Sequence, residues 1–263
     1  MYSFLHNLLS DKKGGEIFRL FGAWHFFYIA LALALVLLIL WWGRTKREDW
    51  RRTASRRFLD LAFGLYLADF FLMPLAYGEI DIEKLPFHAC TVTCVLCFLS
   101  YRVPCLKRLR SSFLLLGLIS NLVYLIYPAG VMWHAVHPLS YRVIQTLLFH
   151  VLMTVYGILS LITEHRSFTL KSCYRDLFVL VGIVAWAVVG NYAYNGKSDH
   201  YDHFFNWSFA VRDPFYIVPE DIAPFFMPFL NIVLFFVAEL LIYGLLWIAK
   251  RVHQRSKACP LTL

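Results

Sequence analysis

The stretch LPFHACTVTC, residues 85–94, puts a histidine and a thiol at the opening of an apolar segment. His88 and Cys90 are two residues apart, and Cys90, Cys94 and Cys97 recur at i, i+4, i+7. On a helix the three cysteines share one face, whereas His88 and Cys90 point in separate directions and cannot act as a dyad. Free cysteines on one helical face pack as small hydrophobes, which is the reading for Cys94 and Cys97. As a nucleophile, Cys90 needs a base from another element, because a thiol in apolar surroundings is inert without one. If His88 acts, Thr91 lies on its face.

Other segments supply further polar groups. His25, Asp69, Asn121, Gln145, His150, Asn191 and Asn231 each interrupt an apolar run. In a membrane such residues are expensive, and each is a functional candidate. Three chemistries suit the set. Cys90 with His150 or His25 as base, and amide or hydroxyl donors for an oxyanion, would transfer or hydrolyse an acyl group. Three histidines with Asp69 would hold zinc, although no close spacing of the HExxH kind is present. A cavity with these groups and no chemistry would be a transporter or a ligand-binding protein.

The elements that must position them are membrane helices. Hydrophobic residues make up 60% of the 263 and charged residues only 16%, beyond what a soluble domain hides. Seven apolar segments stand out, at about 20–42, 58–77, 85–101, 112–127, 143–162, 177–194 and 222–249. They predict an all-α, single-domain, multi-pass protein over 1–263, a bundle of seven transmembrane helices in the cell membrane. The first run is too long for a signal peptide and leads into a basic stretch, not a cleavage site. Of the 25 Lys and Arg, 18 fall in alternate loops on one side and 7 on the other. By the positive-inside rule the N-terminus is then outside and the C-terminus cytoplasmic. The net charge of +8 follows from those loops, so no nucleic-acid partner is expected.

This topology places His25, Asp69, His88, Cys90, Asn121, His150, Asn191 and Asn231 in the outer half of the bilayer, with only Asp60 and Glu239 in the inner half. The pattern predicts one polar cavity open to the outer face. Cys105, Cys173 and Cys259 fall on the cytoplasmic side, so no disulfide is expected. The aromatic loop 195–221 reads either as a membrane-hugging segment or as a lid over the cavity.

The stretches LPFHAC, VIQTLLFH and GNYAYNGK, with FGAWH and NWSFAVRDPFYIVP, resemble in type and order the bacterial YwaF family of integral membrane proteins. The resemblance covers almost the whole chain and extends to a eukaryotic branch that acylates ether phospholipids through a cysteine. It implies lipid acyl chemistry without a cofactor, on a membrane lipid substrate. In the eukaryotic branch the cysteine directly precedes the motif histidine; here Phe87 holds that place and Cys90 follows two residues after His88. The combined expectation has Cys90 attacking an ester, His150 taking its proton and His88 assisting. His25, Asp69, Thr91, Asn121, Asn191 and Tyr194 would position substrate and oxyanion, with Asp69 accepting a histidine N–H.

Overall fold

The computed structural model describes residues 2–10, 15–78, 84–128, 131, 136–164, 168–169, 172–194, 218–219 and 221–258, without the side chains of Tyr2, Tyr194, Pro224 and 252–258. The loop expected at 195–221 lies almost wholly outside them, as does the side chain of Tyr194. Among the described residues there are eight α-helices: α1 (Tyr2–Leu9), α2 (Ala23–Trp42), α3 (Glu48–Tyr77), α4 (Ala89–Ser100), α5 (Arg110–Ile126), α6 (Tyr141–Thr163), α7 (Cys173–Tyr194) and α8 (Ala223–Ala258). All except α1 and α4 are long and apolar enough to cross a membrane.

Local chemistry sets the boundaries. Helix α3 begins ten residues before its apolar run, because Glu48 and Asp49 suit the positive end of the helix dipole and Arg52 pairs with Glu48 at i,i+4. It ends where Gly78 adopts a left-handed φ of 80° and returns its N–H to the Pro74 carbonyl. Helix α4, within the segment expected at 85–101, is the shortest of the expected seven. It has 12 residues, a rise of about 18 Å. Two prolines bracket it: Pro86 lies just ahead of its start, and Pro104 restricts Val103 and stops any continuation.

Helix α6 is the hub. Its buried residues run almost all round the axis, from Val143 and Gln145 to Ser160 and Thr163, as expected of a helix enclosed by others. It packs on α2, α3 and α5, and α4 lies among α3, α5 and α7. Close approach needs glycine: a Cβ on Gly157 of α6 would fall 2.8 Å from Cβ of Leu118 on α5. By contrast, α8 packs mainly on α7 and shows much of its apolar surface, including Phe225, Leu241 and Leu245. Such a surface is at home in lipid.

Candidate functional site

The segment 84–88 between α3 and α4 is held on several sides. Tyr66 of α3 donates its hydroxyl to the Lys84 carbonyl at 2.8 Å. Trp186 of α7 donates its indole N–H to the Pro86 carbonyl at 2.8 Å and stacks on Phe87, with centroids 4.7 Å apart. Phe87 also rests on Gly190, where any side chain would collide with its ring. So the residue preceding His88 faces α7. His88 is the N-cap of α4, with extended backbone, and lies outside the helix on which its direction relative to Cys90 was judged. Thr91 donates its hydroxyl to the His88 carbonyl at 3.0 Å.

Cys90 is half-buried in the first turn of α4, where the backbone N–H groups of Cys90 and Thr91 face its sulfur. Cys94 and Cys97 are fully buried in the core, in line with packing. Cys90, Cys94, Cys97, Cys105 and Cys173 are all free thiols.

Buried Asp69, 1% exposed, meets the ammonium of Lys84 at 2.7 Å. In sequence, Lys84 is one of the seven cations assigned to the outer loops. The phenol of Tyr141, at the start of α6, also lies against Asp69. Lys84 in turn acts electrostatically on both Cys90 and His150, and His88 acts on His150. Asp69 and Lys84 thus form one pair with Tyr66 and Tyr141 at its edge, and Cys90 and His150 lie within electrostatic reach of that pair without a hydrogen bond between them among the described residues.

His150 has a defined tautomer. Its Nδ1 lies 2.6 Å from the Thr146 carbonyl, which can only accept, so Nδ1 carries the hydrogen. Nε2 is left as the lone-pair nitrogen, buried and without a hydrogen-bond partner among the described residues. The ring is held flat against Tyr124 of α5, with centroids 3.8 Å apart and planes 11° off parallel.

The Tyr124–His150 and Leu118–Gly157 contacts fix the antiparallel register of α5 on α6 and set Asn121 opposite Thr154. Asn121 donates to the Gly117 carbonyl at 2.7 Å, but among the described residues its Oδ1 has no hydrogen-bond partner, and neither has Thr154 Oγ1. Buried polar atoms are rarely left unpaired. Here three of them, counting His150 Nε2, follow one helix seam.

His25 is arranged differently. The Phe21 N–H donates to its Nδ1 at 2.9 Å, so Nε2 carries the hydrogen and donates to the Leu125 carbonyl at 2.6 Å. Both nitrogens are engaged by backbone. The ring ties the start of α2 to the end of α5 and holds Phe21, which has an uncommon positive φ of 56°. Replacing His25→Leu is expected to destabilise by about 1–3 kcal/mol for each backbone group left unpaired, read as a lower unfolding temperature of purified protein. Asn191 and Asn231 are buried and donate to the carbonyls of Ala187 and Met227, one turn earlier on their own helices.

A family model described as the TMEM164 family matches residues 20–249. The chain belongs to the TMEM164 family. No curated protein and no solved structure matches it. The match covers α2 to α7 and most of α8 of this TMEM164-family chain, and with the apolar helices it establishes an integral, multi-pass membrane protein. In this TMEM164-family chain no three His, Cys, Asp or Glu side chains among the described residues are arranged to hold a metal ion, which removes the ligand set that the zinc reading required. Sequence reasoning missed Lys84, Tyr66, Tyr124 and Tyr141. Only Lys84 carried a usable signal: an aspartate in an apolar span requires a partner, and Lys84 is the cation nearest to LPFHAC in sequence.

Proposed function

We propose that this chain is a membrane enzyme acting on the acyl ester of a lipid, by acyl transfer or hydrolysis, at the site between segment 84–90, α3 and α6. The observation that carries the reading is His150, whose Nδ1–H is committed to a carbonyl while Nε2 keeps a buried lone pair. This is the arrangement that a general base requires.

In the proposed reaction the Cys90 thiol gives its proton to His150 Nε2 and sulfur attacks the ester carbonyl. The oxyanion that forms meets the first-turn N–H groups of α4. Collapse breaks the C–O bond, and the alkoxide leaves with the proton held by His150, which leaves a thioester on Cys90. Water or a lipid hydroxyl then attacks the thioester while His150 takes its proton, and the thiol is restored. Lys84, balanced by Asp69, supplies positive charge beside the sulfur. His88, Thr91, Asn121, Asn191 and Tyr194 fall to substrate positioning, and His25 to holding the fold. The likeness of LPFHAC, VIQTLLFH and GNYAYNGK to the YwaF family supports lipid acyl chemistry. The 18-to-7 distribution of cations supports an outside N-terminus, with α4 completing a seventh pass in the cell membrane.

Lipid mass spectrometry of membranes carrying wild type, Cys90→Ser or no protein tests the reading. An acyl-chain profile that changes with wild type alone is expected; identical profiles in all three would overturn it. A second reading, a ligand-binding protein without chemistry, draws on the unpaired Asn121 and Thr154 atoms along the α5–α6 seam. It predicts ligand binding that survives Cys90→Ser and weakens in Asn121→Leu.

A further inference from the structure

A second buried polar cluster lies near the opposite end of α7 from Phe87 and Gly190. Asp176, in the first turn of α7, is wholly buried and accepts hydrogen bonds from the hydroxyls of Ser112 on α5 and Tyr243 on α8. Arg175 donates to Ser112 at 3.2 Å and to Ser111 at 2.6 Å, and its Nε lies 3.8 Å from Asp176. Ser172 stands 2.8 Å from the Tyr243 hydroxyl. One turn before Tyr243 on α8, and so on the same helix face, is Glu239, 0% exposed, with neither carboxyl oxygen hydrogen-bonded among the described residues. Glu239 and Asp176 interact electrostatically, and the Cys173 thiol feels both. Asp176 and Gly190 are separated by about 21 Å of helix, so the cluster is distinct from the His150 site.

We propose that Asp176 and Glu239 form a second site, a carboxyl pair that binds one proton, with Glu239 carrying it and Asp176 ionised. Two carboxylates that interact in a low-dielectric interior disfavour each other's charge, so that one of them holds a proton. Their surroundings decide which one is. Asp176 has two hydroxyl donors, one of them backed by a guanidinium; Glu239 has no donor, and an ionised carboxylate in that state would not be tolerated. The charged and titratable groups facing the pair are Arg175 and Cys173 on α7 and Tyr243 on α8, with the Ser111 and Ser112 hydroxyls from α5. Arg108, whose carbonyl accepts from Arg175, and Lys250, bonded to the Phe168 carbonyl, are further basic residues at this end of the bundle.

The test is infrared difference spectroscopy on the full-length protein in lipid nanodiscs at neutral pH, wild type minus Glu239→Gln. The expected difference is the C=O stretch of a protonated carboxyl. Loss of the symmetric carboxylate band in its place would overturn the assignment. Glu239→Gln mimics the protonated acid and is expected to fold with an unchanged unfolding temperature; a large drop would mean an ionised, paired Glu239 and would also overturn it. Tyr243→Phe removes one donor from Asp176 without altering charge and should move part of the proton to Asp176, so that the protonated-carboxyl band changes frequency. A band unmoved in a folded Tyr243→Phe protein would show that Glu239 and Asp176 are not coupled and would overturn the pair.

Discussion

With His150→Ala, turnover of an ester substrate is expected to fall by about 10²–10⁴-fold, the usual worth of a positioned general base. The loss should appear in kcat more than in KM, because Nε2 meets a proton in motion and not the resting substrate. His150→Gln should fall as far, although the glutamine can keep a hydrogen bond to the Thr146 carbonyl. The comparison separates base chemistry from the ring's structural bond. Trapping with a thiol-directed acylating probe provides the check: Cys90 should label faster in wild type than in either variant. Equal rates in all three would remove His150 from the role of base. Tyr124→Leu, which takes away the ring on which His150 lies flat, should give an intermediate loss by releasing the imidazole from one orientation.

The second large effect concerns the Asp69–Lys84 pair, held at 2.7 Å with Asp69 fully enclosed. Lys84→Met should destabilise the fold by about 3–5 kcal/mol, because it strands a carboxylate inside the bundle. Adding Asp69→Asn should restore most of that stability, since a neutral amide beside a methionine leaves no charge unpaired. Reversible unfolding of the single and double variants in mild detergent measures the coupling directly. Restored stability without restored turnover would assign the lysine to the chemistry as well as to the fold. Recovery of both would reduce the pair to a structural clasp on segment 84–88.

Much of the helical frame is legible in the chain, because six apolar runs are long enough to leave no other solution. Hydropathy alone misjudged α3, whose first ten residues are charged and helical by capping and i,i+4 pairing. It also overestimated α4, where the two prolines had more authority than the apolar run between them. The site divides in the same way. His88, Cys90, Asp69 and His150 were visible as polar residues in expensive places. Their partners were not, because Lys84 looks like any loop cation and the stacking of Tyr124 on His150 depends on the register of α5 against α6. Asp176 is a buried polar group that the sequence reading did not single out. At the edge of its apolar run it reads as a boundary residue, and only the fold encloses it with Ser112, Tyr243 and Glu239.

The 12 residues of α4 also have a consequence for the bilayer itself. An apolar rod of about 18 Å is poorly matched to a hydrocarbon layer of about 30 Å. Lipids accommodate such mismatch by thinning, and protein accommodates it by walling off the deficit. Helix α4 packs among α3, α5 and α7, so much of the short rod's surface meets protein in place of lipid. In the reaction proposed above, an ester would then need to reach only the first turn of this short helix, where Cys90 lies, and not the middle of a full-length span.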